Sequence, residues 1–173
     1  MSENSSKTAK VGGGTPVGGR GIDDIDRKIL DALQHDSDRP VSEIADEVNL
    51  SSTPCWRRIR RLEELGFIKK RVALADRRQM NVAMTVFVGV KAPRHQIDWL
   101  DDFRKLIENT PEVVEAYRLT GETDYLIKIV VPNIEVYDTV YKRMISKLEF
   151  SDFNSSISME EMKFTTAVTT KYI

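Results

Sequence analysis

The stretch Val41 to Arg71 constrains this chain most: VSEIADEVNLSSTPCWRRIRRLEELGFIKKR. Val41, Ile44, Ala45 and Val48 recur at helical spacing for about two turns and then stop at Asn49. Asparagine tolerates left-handed backbone, so Asn49 predicts a tight turn. Ser51 or Ser52 can cap a further helix, Pro54 falls in its first turn where a missing amide donor costs little, and Gly66 ends it. A basic strand in FIKKRVAL is expected next. Two short helices, a turn and a following strand predict a helix-turn-helix, whose second helix suits the major groove of double-stranded DNA. A helix upstream completes the bundle. Ile22, Ile25, Ile29, Leu30 and Leu33 share one face of IDDIDRKILDALQ, Asp23 and Asp24 sit at its positive end, and HDSDRP breaks the pattern.

A wheel at about 100° per residue divides the third helix sharply. Cys55, Ile59 and Leu62 face inward; Thr53, Arg57, Arg60 and Arg61 face outward, with Trp56 at the flank. Arginine reads guanine edges in pairs of hydrogen bonds and also grips phosphate. The expected DNA contacts are therefore Ser51, Ser52, Thr53, Trp56, Arg57, Arg60, Arg61 and, in the basic strand, Lys69. An arginine-rich face on an isolated helix would be read as a solvated surface. The short helix before it and the basic strand after it favour DNA.

Charge distribution agrees. The whole chain carries a net charge of -1, so any affinity for a polyanion must be local. Arg57 to Arg71 holds seven basic residues against Glu63 and Glu64. From Ala83 onward there are 14 acidic and 11 basic residues. Only the first half is suited to meet DNA. Residues 1–20 are rich in Gly, Ser and Thr without apolar periodicity and read as a flexible tail. With Lys7, Lys10 and Arg20 against Glu3, it is weakly positive. No apolar run reaches the roughly 20 residues of a membrane span, and the N-terminus has no hydrophobic signal core. The single Cys55 excludes an intramolecular disulfide. A cytoplasmic, nucleoid-associated protein with no membrane partner is expected.

The domain at 21–81 is followed by one of different character at 82–173. MTVFVGVKA reads as a strand and HQIDWLDDFRKLIENTP as a helix with Trp99, Leu100, Phe103, Leu106 and Ile107 inward. VVEAYRLT and YLIKIVVP are strands joined by Gly121-Glu122-Thr123-Asp124. NIEVYDTVYKRMISKL is a second amphipathic helix with Ile134, Tyr137, Val140, Tyr141, Met144 and Leu148 inward, and FNSSISMEEMKF is the last strand. The order βαββαβ predicts a ferredoxin-like sheet with both helices on one face, so the fold class is α+β. The other sheet face has no cover within the chain, and a second copy with two-fold symmetry is the simplest.

Three segments carry a resemblance to a known family. LSSTPCWRRIRRLEELGFI is similar to the DNA-binding signature of the Lrp/AsnC (feast/famine) transcription regulators, and RLTGETDYLIKI and SSISMEEMK resemble the effector-domain signatures of the same family, in the same order and spacing. The resemblance covers about Ile22 to Thr170. It implies a winged helix-turn-helix, a linking strand and a ferredoxin-like domain, in a sequence-specific DNA-binding regulator that dimerises, often assembles to an octamer, and responds to an amino-acid effector. It implies that the effector-binding positions are Gly121, Glu122, Asp124 and Tyr125, with Ser156 and Ser158 opposite. The two serines replace bulkier apolar residues and point away from leucine. The STPCW helix and the SSISMEEMKFTT tail resemble a branch associated with cysteine or other thiols.

Other candidates are plainer. Cys55 lies on the inward face and reads as a core residue. His35 and His95 stand apart with no ligand or nucleophile partners, so no metal, no cofactor and no catalytic residue is expected, and the chain does not read as an enzyme. Glu122 and Asp124 alone would be a solvated turn. Two other classes remain open: an architectural, nucleoid-type DNA-compacting protein without effector, and a metabolite-binding enzyme module on the ferredoxin-like domain.

Overall fold

The computed structural model describes residues 21–93 and 97–173. The expected tail at 1–20 and His95 lie outside the described residues. Packing divides the chain into two compact units: the residues up to Val72 together with Phe164–Ile173, and Ala73–Lys163. The last ten residues, grouped with the second domain by sequence, therefore pack with the first unit.

The first unit is built on α1 (Asp24–His35), α2 (Val41–Glu47) and α3 (Ser52–Glu64). Asp23 starts α1 with a reciprocal cap: its carboxylate accepts from the Asp26 amide at 2.9 Å, and Asp26 accepts from the Asp23 amide at 3.1 Å. Two of the four orphan donors of the helix start are satisfied this way. Ile29, Leu30, Leu33, Ile44, Ala45, Val48, Cys55, Ile59 and Leu62 form one buried core. Asn49 turns between α2 and α3 with φ +57°, and Gly66 follows α3 with φ +78°, both as their residue types predict. Ser51 occupies the N-cap of α3, but its side chain makes no capping bond. The strand expected in FIKKRVAL is not formed: Lys69 to Ala75 carries neither helix nor strand, and Val72 and Leu74 are exposed. A β-segment needs a neighbour to satisfy its backbone, and the described residues supply none there.

The final segment runs along α1. The Gln34 amide both donates to the Val168 carbonyl at 3.0 Å and accepts from the Val168 amide at 2.7 Å. Thr170 Oγ1 donates to Asp31 at 3.0 Å, and Arg27 Nε donates to the Ile173 carbonyl at 2.8 Å. Arg27, Asp31 and Gln34 are three to four residues apart, so one half-buried stripe of α1 holds the whole segment.

The second unit follows the expected order: β1 (Met84–Lys91), α4 (Ile97–Glu108), β2 (Val113–Arg118), β3 (Tyr125–Val131), α5 (Ile134–Lys147) and β4 (Asp152–Ile157). The strands form one antiparallel sheet in the order β2-β3-β1-β4. Val86, Val88, Val90, Ile127, Ile129 and Val131 point to the face covered by Phe103, Leu106, Tyr137, Val140 and Met144. Ile134, expected inward, is 48% exposed, because it opens α5 before the helix reaches the sheet. The last strand stops at Ile157 rather than running to Phe164; Met159 and Met162 beyond it are almost fully exposed. On the opposite face, Phe87 pairs in register with Lys128 and Ser156. Phe87, Tyr117 and Leu119 remain exposed, and Lys128 spans to Glu115 at 2.8 Å.

Candidate nucleic-acid interface and ligand loop

The arginines of α3 fall into two sets. Arg58 donates to Asp23 and to Asp26 Oδ1, each at 2.8 Å. Arg61 approaches Asp26 Oδ2 at 3.4 Å and also donates to the Gly21 carbonyl. Asp26 is 1% exposed, so these two cations answer a buried carboxylate that would otherwise lack a counter-charge. Both hydrogen bonds and charge hold Arg58 protonated; the Asp26 and Asp23 carboxylates raise its pKa. The amide of Asp26, with help from Arg58, holds Asp23 below the usual carboxylate range.

Arg57 makes no ion pair among the described residues, and neither does Lys69; both are exposed. Arg60 reaches Glu63 at 3.1 Å but is 58% exposed, and its guanidinium lies 5.9 Å from the centre of the Trp56 ring. Trp56 is itself 53% exposed. Ser51, Ser52 and Thr53 are exposed at the start of the same helix. Val41, Ser52, Thr53 and Trp56 line an open depression of about 260 Å³. The structure thus gathers Ser51, Ser52, Thr53, Trp56, Arg57 and Arg60 on and around one end of α3, whereas Arg61 is turned back toward α1. Sequence reasoning missed Arg58 and Asp26. The reciprocal D-x-x-D cap was a signal for Asp26, but its pairing with α3 lies 32 and 35 residues away.

In the second unit the loop at 121–124 closes tightly. Gly121 has φ +112°, a conformation that L side chains resist, although space around it is open. The Asp124 amide donates to the Val90 carbonyl at 3.1 Å, and its Oδ2 accepts from the Ala92 amide at 2.9 Å. One carboxylate oxygen thus ties the loop to the end of β1. Glu122 is exposed. Thr123 lies over Gly89, where a Cβ would meet its methyl at 3.3 Å. Tyr125 belongs to the helix-side core, with its ring centre 4.9 Å from that of Phe103. Ser156 pairs with Phe87 on the opposite sheet face, and the Ser158 amide donates to the Thr85 carbonyl at 2.9 Å further along. The sheet therefore separates Tyr125 from Ser156; Thr123 and Ser156 lie on the uncovered face, and Ser158, beyond the end of β4, donates its hydroxyl to the Glu160 carbonyl at 3.2 Å.

Comparison with known proteins gives consistent findings. Residues 22–63 match the AsnC-type helix-turn-helix domain, and residues 85–168 match the Lrp/AsnC ligand binding domain. A glutamate uptake regulatory protein of Zymomonas mobilis is 45% identical over 147 residues, spanning 85% of this chain and 90% of that protein. An AsnC family transcriptional regulator from Agrobacterium tumefaciens has a similar structure, with TM-score 0.82 and 49% identity over 85% of this chain and 96% of that one. A transcriptional regulator from Neisseria meningitidis, solved as an L-Met complex, gives TM-score 0.81 and 32% identity, again over 85% of this chain and 96% of its own.

Proposed function

The chain belongs to the Lrp/AsnC family of DNA-binding transcription regulators, and from that premise we propose that the exposed end of α3 is its DNA contact and that a free amino acid binds at the loop 121–124. One observation carries the first half: on a helix with four arginines, Arg58 and Arg61 pair with Asp26 of α1, while Arg57 has no ion pair among the described residues and Arg60, next to Trp56 and 58% exposed, meets only Glu63 of its own helix. A cation without a protein partner is free to replace the counterions of phosphate or to pair with a guanine edge. Ser51, Ser52 and Thr53 add hydroxyls, Ser51 being free of a capping bond, and Lys69 extends the basic surface. Fluorescence anisotropy titration of a duplex selected by the protein tests this. Arg57→Ala and Arg60→Ala each weaken binding, and equal affinity in both variants would remove α3 from the interface.

For the effector, the regulator from Zymomonas is named for glutamate uptake and the one from Neisseria was solved with L-Met, which supports an amino acid as the ligand class. Asp124 has an oxygen to spare beyond its bond to Ala92 and suits an ammonium group. Gly121 and Glu122 shape the loop's backbone; its amides suit a carboxylate. Ser156 on the uncovered face, with Ser158 just beyond the end of β4, favours a small polar or thiol side chain. Tyr125 supports the loop from within the core. A second copy covering Phe87, Tyr117 and Leu119 would enclose this face, and a dimer brings two α3 helices to one side of DNA at about 34 Å; further assembly leads to an octamer. The effector shifts the populations of assemblies with different DNA affinity. Such a regulator works where the chromosome lies, at the cytoplasmic nucleoid. Calorimetric titration with cysteine, serine, alanine, methionine, glutamate and leucine tests the site. Asp124→Asn, which keeps an oxygen for the Ala92 amide, loses the heat of the binding amino acid; retained heat, or no heat in wild type, would overturn the site.

A further inference from the structure

The depression beside Trp56 has a chemistry that the arginines around it do not explain. It is lined by Val41 from the start of α2 and by Ser52, Thr53 and Trp56 of α3. It opens on the part of α3 where Arg57 and Arg60 are exposed. Phosphate recognition has no use for the apolar part of this lining, Val41 and Trp56. The half-exposed indole, on the helix that carries Arg57 and Arg60, offers apolar surface that a base edge can cover. On the base edges of the major groove only one group is apolar, the C5 methyl of thymine. We infer that Trp56, with Val41 and the Thr53 methyl, forms a recess that reads a thymine methyl and so makes Trp56 a specificity-determining residue of this regulator.

The inference rests on the reading of α3 as the DNA-contacting helix. Arg60 fits it, since its guanidinium, near the Trp56 ring at 5.9 Å, limits the ring's freedom and leaves charged donors beside the recess. The recess is shallow and open, so a methyl can enter without rearrangement of α2 or α3. Replacing thymine by uracil removes that methyl and leaves every Watson–Crick and major-groove hydrogen-bonding group in place.

The test uses the full chain and a duplex enriched from a randomised pool by the protein itself. Each thymine is replaced in turn by uracil and affinity is measured by anisotropy for wild type, Trp56→Ala, Trp56→Leu and Arg57→Ala. One symmetry-related thymine pair is expected to lose about fourfold in affinity per methyl, the worth of one buried methyl group. Trp56→Ala abolishes that sensitivity, whereas Trp56→Leu, which keeps an apolar wall, retains part of it. Trp56 is exposed, so both variants fold, which matching circular dichroism melts verify. The inference is overturned if no thymine responds, if the response survives in Trp56→Ala, or if Trp56→Ala weakens thymine and uracil duplexes alike, which would put the indole on the backbone. Arg57→Ala separates the two levels: lost affinity there with silent uracil substitutions removes only the methyl recess. Unchanged affinity there, or a pool that yields no duplex, removes the DNA-contacting reading with it.

Discussion

Arg58 and Arg61 share the buried carboxylate of Asp26, and that shared anion decides what each arginine of α3 can do. Breaking a buried charge pair leaves the remaining group without compensation, so Asp26→Asn should destabilise the first unit by about 2 kcal/mol, with urea unfolding as the measurement. Arg61 is 46% exposed, so solvent takes over part of its role and Arg61→Ala should cost less than about 1 kcal/mol. Arg57→Ala should leave stability unchanged and affect only DNA affinity, lowering the salt slope by about one. A helical wheel placed Arg61 with Arg57 because angle alone cannot see a partner on another helix. Asp23 sets an acid limit. Its pKa is depressed in the folded state, so its contribution is present above the unfolded value, near 3.8, and is lost as pH falls through the lower folded value. An acid melt should therefore lose part of the stability of α1 below about pH 4, and Asp23→Asn should flatten that limb; an unchanged limb would remove the cap from the account.

At the scale of elements, local chemistry was decisive wherever one residue type suits one backbone state. Asn49 and Gly66 stand with positive φ where the turn and the helix end require it. Asn49→Val should lower the stability of the helix-turn-helix by about 1–3 kcal/mol, while Asn49→Gly should be nearly neutral, as thermal melts would report. Cys55 lies at the centre of the same packing, fully buried, and burial raises its thiol pKa. Its reaction with a disulfide reagent should wait for unfolding; a fast native reaction would contradict the packing of α3. The α–β order of the second unit was legible because each helix presents one apolar stripe and strands such as MTVFVGVK and YLIKIVV are short and rich in β-branched residues. The errors fall at ends. The strand expected after α3 lacks a ladder partner in the described residues, and β4 ends at Ile157 because the hydrophobic Met159 and Met162 meet solvent, not sheet. Apolar content predicts a strand there; pairing, which composition does not encode, withholds it.

At the scale of the molecule, the return of the C-terminal segment to α1 was not legible, because its bonds are made by ordinary polar residues more than 130 positions apart in sequence. Removing Val168 to Ile173 should speed amide exchange in α1 and leave β1 and β3 unchanged, as hydrogen-exchange mass spectrometry would resolve. The uncovered sheet face was legible from a count of layers, and the exposed Phe87, Tyr117 and Leu119 lie where that count leaves the sheet bare. The loop 121–124 stood out as a candidate ligand site only through resemblance: Gly121 and Asp124 alone make a turn, and Asp124 spends one oxygen on Ala92. Sedimentation equilibrium of the full chain should give a mass of a dimer or a multiple of it, and Phe87→Glu should lower that mass. The central claim is that this regulator meets DNA through the exposed cations Arg57 and Arg60 of α3, and the most direct measurement is anisotropy titration of one selected duplex with wild type and with the Arg57→Ala, Arg60→Ala double variant at fixed salt. Loss of at least about tenfold in affinity with an unchanged melting temperature is the predicted result, and wild-type affinity in the double variant would contradict it.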